Sequence, residues 1–226
     1  MAAARLCVSV RFPPHKIIAK SKYFVQIALA LTSADRCTFK HCINMTFETE
    51  RLILRPWLES DAEALYRYAR DPQVGPIAGW PPHTSVENSL DIIRTVLSKP
   101  ETYAIVLKTS NEPIGSIGLM RNGDGIAPIG ETEMELGFWV GVPHWGRGYA
   151  PEASRCLIRY AFEQLHVTAI WCGYYDGNQK SKRAQEKIGF TYHHTIENVA
   201  VPLVNDVRTA HINRMTQTEW REKCAE

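Results

Sequence analysis

The stretch Thr132–Tyr175 constrains the fold more than any other part of the chain. A strand ending in Val140 enters a loop with glycines at 146 and 148, the loop opens a helix over Pro151–Leu165, and a β-branched and aromatic strand follows at Ala169–Tyr175. Pro151 suits a first helical turn, and Ala153, Leu157, Ala161 and Leu165 recur at helical spacing. A helix crossing between two strands of one sheet makes them parallel. Glycines let the backbone turn tightly and approach a ligand, while free N–H groups and the positive end of the new helix attract anions. The loop therefore reads as a phosphate cradle. It lacks the Gly-Lys-Ser/Thr ending of a Walker loop, and the third glycine and downstream acid of a dinucleotide fingerprint.

The flanking pattern is mostly antiparallel. Glu50–Pro56 alternates like a half-buried strand, and Ser60-Asp61 starts a helix that runs to Arg70 and stops at Asp71-Pro72. A Pro- and Gly-rich loop, Gly75–Ser85, precedes a helix over Val86–Ser98. Tyr103–Lys108 and Pro113–Met120 flank the turn Thr109–Glu112 as a hairpin, and Arg121–Ile129 connects to the strand Thr132–Val140. A short helix over Ser181–Ile188 stops at Gly189, and strands over Phe190–Glu197 and Arg208–Met215 complete the set. The expectation is one α/β (α+β) domain, a mixed and mostly antiparallel sheet with a central parallel pair, flanked by helices.

Charge divides the chain. Residues 1–44 carry Arg5, Arg11, Lys16, Lys20, Lys22, Arg36 and Lys40 against Asp35 alone, which leaves 19 basic against 23 acidic side chains in residues 45–226. The leader's one long apolar run, Tyr23–Leu31, is far short of the ~20 residues of a membrane span. Its composition fits a transit peptide and, weakly, a signal sequence; the plainer expectation is a mis-assigned start, with translation from Met45. Domain organisation is thus a basic leader over 1–44, disordered or mis-assigned, and one domain over 45–226. No Cys-x-x-Cys pair occurs, so Cys156, Cys172 and Cys224 read as reduced thiols of a cytoplasmic protein, and Cys37, His41 and Cys42 lack a fourth metal ligand. With 45% hydrophobic and 22% charged residues, collagen-like, low-complexity and disulfide-scaffold classes are excluded.

Trp145-Gly146-Arg147-Gly148-Tyr149-Ala150 resembles the acyl-CoA pyrophosphate loop of the GNAT superfamily of N-acetyltransferases. Asn178-Gln179-Lys180-Ser181 followed by Lys187-Ile188-Gly189-Phe190 resembles that superfamily's second block, and Glu50–Pro56 resembles the opening strand of its ribosomal-protein acetyltransferase (Rim-like) branch. The three blocks cover nearly all of residues 45–220. The resemblance implies a parallel pair splayed beyond a bulge, with the pantetheine arm of acetyl-CoA between Phe138, Trp139 and Val140 and the strand near Tyr174. It implies pyrophosphate binding at Trp145–Ala150, a pantetheine contact from Asn178, and direct attack in a ternary complex without metal. Two positions depart from the pattern. Trp145 stands where Gln or Arg is usual, so phosphate binding leans on backbone N–H groups and Arg147; Gln185 stands where many members carry a tyrosine acid.

An amine needs a base, since it is mostly protonated near neutral pH. Glu133, Glu135 and Trp139 share one face of their strand, and Glu135, nearer the splay, is the first choice for the base, with Glu133 second; either could instead cap a solvent-facing edge. Ser181 resembles the branch's serine near the thiol and would donate to the departing sulfur, with helix N-capping as its ordinary alternative. Trp80 and His83, with Trp139 and Tyr174, would wall the acceptor, although Trp139 and Trp57 equally suit the core. Lys180, Lys182 and Arg183 either meet CoA phosphates or form a solvated helix face, and Cys172 reads as a small buried hydrophobe. His193 and His194 are expected on opposite faces of a strand.

The implied function is acetyl transfer from acetyl-CoA to a primary amine, either a ribosomal or other protein N-terminus or a small molecule. A monomer or homodimer is expected, with no membrane partner. Two other readings stay open: a CoA-binding module with little catalysis, and nucleic-acid binding by the basic leader, which is not the expectation for the domain.

Overall fold

The computed structural model describes residues 45–225. The expectations for residues 1–44, including Cys37, His41 and Cys42, lie outside them. Eight strands form one sheet: β1 (Phe47–Glu48), β2 (Leu52–Arg55), β3 (Thr102–Leu107), β4 (Glu112–Met120), β5 (Glu133–Val140), β6 (Ala169–Tyr175), β7 (Thr191–Val201) and β8 (Asp206–Thr216). Their spatial order is β1-β2-β3-β4-β5-β6-β8-β7. All neighbours are antiparallel except β5 and β6, which the crossover helix α4 (Tyr149–Glu163) joins in parallel. The other helices are α1 (Ala62–Ala69), α2 (Gly75–Ala78), α3 (Val86–Ile92), α5 (Gln179–Ile188) and α6 (Gln217–Ala225).

Apolar periodicity decides which face each helix covers. Ala153, Leu157, Ile158, Ala161 and Phe162 of α4 are buried against Met134, Leu136 and Val140 of β5 and Ile170 and Cys172 of β6. On the opposite face, Ala62, Leu65 and Ala69 of α1 join Trp57 and Ile93 over Ala104 and Val106 of β3. A third cluster sets Ala127 and Ile129, from the connection before β5, against Trp171, Tyr175, Val201, Ala210 and Ile212.

The parallel pair is bonded through Glu133/Ala169, Met134/Ile170 and Glu135/Trp171, and there the pairing ends. No bulge causes this. The register between β4 and β5 runs unbroken from Gly115/Val140 to Met120/Glu135, and the register shift lies instead between Ile105 and Val106 of β3. Each strand of the pair stays bonded to its outer neighbour to its end, β5 to β4 and β6 to β8. As the sheet twists, each follows that neighbour, and a gap opens between them.

Other departures have local causes. Gly148, at φ 80°, caps α4, so Tyr149 and Ala150 belong to the first helical turn rather than to the loop; Pro151 sits in that turn, where its missing N–H costs nothing. The fifth helix starts at Gln179 instead of Ser181, because Asn178 Oδ1 accepts the Ser181 N–H at 3.1 Å and takes the capping role itself. A register shift between Tyr192 and His194 breaks the alternation of β7, so His193 and His194 do not diverge: their Nδ1 atoms lie 2.8 Å apart and both rings pack on Trp171.

Candidate active site

The loop after β5 presents main-chain donors with nothing to bind. Among the described residues, the N–H groups of Gly146, Arg147, Gly148, Tyr149 and Ala150 have no hydrogen-bond partner in the protein. Gly146 (φ 75°) and Gly148 (φ 80°) are both left-handed, which turns successive amides to one side. A Cβ at Gly146 would meet nothing within 4 Å, so the loop faces open space. Five free amides at the positive end of a 15-residue helix suit an anionic diphosphate.

Neighbours brace this cradle. Trp145 is not itself a phosphate ligand in this arrangement: its indole Nε1 donates to Val140 O at 2.6 Å, and the Lys180 ammonium sits 3.6 Å above its ring. Lys180, still exposed, thus lies at the rim of the loop. Arg51, to which sequence reasoning gave no role, holds the cradle from the other side. Its Nη1 donates to Arg147 O at 3.0 Å, its guanidinium lies over the Tyr149 ring, and its Nε donates to Glu152 Oε2 at 2.6 Å. Thr49 Oγ1 and the Arg51 N–H also donate to Glu152. Burial would raise the Glu152 carboxyl, but these bonds and the Arg51 charge outweigh it and hold the group below its ordinary range. Arg51→Ala is expected to weaken the loop's binding of a diphosphate ligand by about fivefold, the scale of a partly exposed ion pair, as read by calorimetric titration.

Between the parted strands, main-chain groups face the gap. Gly141 N–H bonds Ile114 O, so odd-numbered residues of β5 point their amides and carbonyls to β4, and the even ones, Leu136 and Phe138, point toward β6. Asp176 N–H bonds Thr209 O, so even-numbered residues of β6 serve β8, and Gly173 and Tyr175 face β5. The gap thus has a polar edge on each side, the groups with which an extended chain carrying amides of its own would pair.

Glu135 lies on the face away from α4, only 2% exposed. Its Oε2 accepts the Ala127 N–H at 2.8 Å. Burial pushes its carboxyl above the ordinary range, and backbone N–H groups of Ala127 and Ile126 offset part of that rise. The connection can lie this close because residue 125 is glycine; a Cβ there would collide with the Glu135 carboxylate. Glu133 is bound more fully, accepting from Gly130 N–H at 2.8 Å and Trp171 Nε1 at 3.0 Å.

The aromatic wall forms with one exchange. Trp80 lies 5.7 Å from Trp139 and 5.6 Å from His83, centroid to centroid, and His83 Nδ1 meets Ser89 Oγ at 2.8 Å. Burial lowers the His83 pKa, which favours a neutral ring. Tyr174 does not join them: strand alternation puts it on the α5 face, stacked on His211 at 5.1 Å. Its neighbour Tyr175 faces the Glu135 side, against Gly79 next to Trp80. Trp57 is core, donating to Ser116 Oγ, and Cys172 is buried with its thiol pushed well up.

Ser181 and Asn178 stand at the start of α5 as the motif implies, but the Asn178 carbonyl oxygen is engaged as the cap. Ser181 Oγ accepts from Gln185 Nε2 at 3.0 Å. The importance of Gln185 was not legible, since its partners come from α5, β6 and β8.

Known proteins are similar to this chain in sequence and in fold. The family model of the acetyltransferase (GNAT) domain matches residues 51–191. The N-acetyltransferase p20 of Bacillus licheniformis, itself uncharacterized, is 34% identical over 132 residues, 55% of this chain and 70% of p20. YdaF of Bacillus subtilis, named as a candidate ribosomal N-acetyltransferase, is 39% identical over 56 residues, 25% of this chain and 31% of YdaF. In fold, a GNAT-family acetyltransferase structure from Bacillus anthracis is similar at a TM-score of 0.68 and 22% identity, over 77% of this chain and 100% of that one.

Proposed function

This chain belongs to the GNAT acetyltransferase family, and on that premise we propose that it moves an acetyl group from acetyl-CoA to a primary amine, a protein N-terminus in the first instance. The observation that carries the reading is the gap itself: a parallel pair that stops bonding at Glu135/Trp171 and opens beside five unpartnered amides. The choice of a protein N-terminus draws on the likeness of Glu50–Pro56 to the Rim-like branch and on the name of YdaF.

Bound acetyl-CoA supplies an acetyl thioester. The amides of Gly146–Ala150 hold its diphosphate, with Arg147 and Lys180 at the rim, while Leu136 and Phe138 offer main-chain groups to the pantetheine. A β5 amide facing the gap stabilises the negative charge that develops on the carbonyl oxygen. Trp80 and His83 line the acceptor's side. As the amine nitrogen bonds to the acetyl carbon, Glu135 takes the amine's proton through a water molecule, and the carbon–sulfur bond breaks with its electron pair on sulfur. Ser181 donates a hydrogen bond to that sulfur, which leaves and takes a proton from solvent. The products are the acetamide and free CoA.

The test is thiol release from acetyl-CoA with four acceptors: a peptide with a free N-terminus, the same peptide blocked, spermidine and a free amino acid. Fastest release with the free peptide and none above background with the blocked one is the expected outcome. A small amine outrunning the peptide overturns the acceptor, and acetyl-CoA failing to raise the melting temperature overturns the whole reading.

A further inference from the structure

Where β6 leaves β5, the Gly173 carbonyl points into the gap and loses the strand partner it would have had. A side chain replaces that partner. Gln185 of α5 is fully buried, and its Nε2 donates to Gly173 O at 3.1 Å and to Ser181 Oγ at 3.0 Å. Its Oε1 accepts from Asn213 Nδ2 of β8, itself buried, at 2.8 Å. The orientation of the amide follows from its partners, because a carbonyl can only accept and the nitrogen end must face Gly173. Both amide protons and the amide oxygen are then engaged, so the group is fixed from three sides.

This has a consequence for Ser181. A helical serine ordinarily turns its hydroxyl back onto a carbonyl of the preceding turn. Here the oxygen is taken by Gln185 as an acceptor, and the hydroxyl proton has no acceptor among the described residues. We propose that Gln185 is a positioning residue for acetyl transfer: it ties the Ser181 oxygen to the freed edge of β6, so that the hydroxyl serves the reaction as a donor aimed at the leaving sulfur. The inference rests on Ser181 as the group that meets the sulfur. Atoms and charge balance simply, since Gln185 exchanges no proton and only Ser181 hydrogen-bonds the new thiolate.

The experiment titrates the thiol of CoA bound to the full-length protein, read by thiolate absorbance in the ultraviolet, for wild type, Ser181→Ala, Gln185→Leu and the double variant. A donor near sulfur stabilises the thiolate, so Ser181→Ala is expected to raise the bound thiol pKa by about one unit. Gln185→Leu is expected to raise it nearly as far, with CoA affinity within about twofold of wild type, and the double variant to go no further than Ser181→Ala. Gln185→Met, which keeps the chain length, serves in place of Leu if the leucine variant does not fold. A wild-type thiol pKa in the Gln185 variant, or additive shifts in the double variant, overturns the proposal. No shift in Ser181→Ala takes down the Ser181 reading first and this inference with it. CoA failing to bind the wild-type protein is a failure of the proposed function instead.

Discussion

Glu135→Gln is expected to slow acetyl transfer by about 100- to 1,000-fold while leaving the folded protein as stable as wild type, or more so, near neutral pH. The rate follows from removing the proposed base, the β5 carboxylate at the last bonded pair before the gap. Stability follows from linkage. Burial raises the Glu135 pKa above its ordinary 4.5, so the folded chain binds that proton more tightly than the unfolded chain. Its favourable contribution is complete below the unfolded value and is lost as pH rises through the folded one. At neutral pH the buried carboxylate therefore costs stability, and glutamine removes that cost while still accepting the Ala127 N–H. Thermal melts at about pH 5 and pH 8 should show the variant gaining on wild type as pH rises. The acid limb of kcat/KM in the wild type should lie above the ordinary 4.5 and disappear in the variant. Unchanged turnover removes Glu135 as the base. A large drop in melting temperature instead makes it an anchor for the 121–130 connection, and CoA binding without turnover in the wild type would favour a binding module over an enzyme.

The second large effect concerns Gly148. An L-residue at φ 80° costs about 1–2 kcal/mol, and a Cβ there would make only ordinary contact with Arg51 Nη2, at 3.5 Å. Strain rather than collision is the issue, and the loop relieves it by rotating out of the left-handed region. That rotation turns the Gly148 and Tyr149 amides away from the diphosphate. Gly148→Ala is therefore expected to weaken acetyl-CoA binding by about tenfold or more, measured by calorimetric titration. Gly123→Ala is the control: it is also left-handed, at φ 91° with open space around it, but lies beyond the opposite end of β5. It should lose comparable stability and no affinity. Equal affinity losses for the two would mean that the loop's conformation does not determine binding.

Much of this site was legible because it is local. The β5–loop–α4–β6 unit spans residues 133–175, and its glycines, proline and apolar spacing act within a few residues of one another. What escaped reading is nonlocal. Arg51 reaches the cradle through Glu152, 101 residues away, and Gln185 meets Asn213 across 28. No period in the sequence encodes either contact. Two capping residues three positions apart, Asn178 and Ser181, compete for one helix start, and the structure gives it to the first. The pairing of His193 with His194 rests on one extra residue in β7, which alternation cannot foresee. Helix α6 was missed because Gln217–Ala225 has no apolar stripe; only Trp220 reaches the core, against Phe162.

An edge strand on the outside of a protein is a hazard, because any extended chain can add to it. Here two such edges face each other in the interior, each guarded by the other. The guest that such facing edges suit is an extended chain able to hydrogen-bond along its length. The opening that makes binding possible also sets its selectivity.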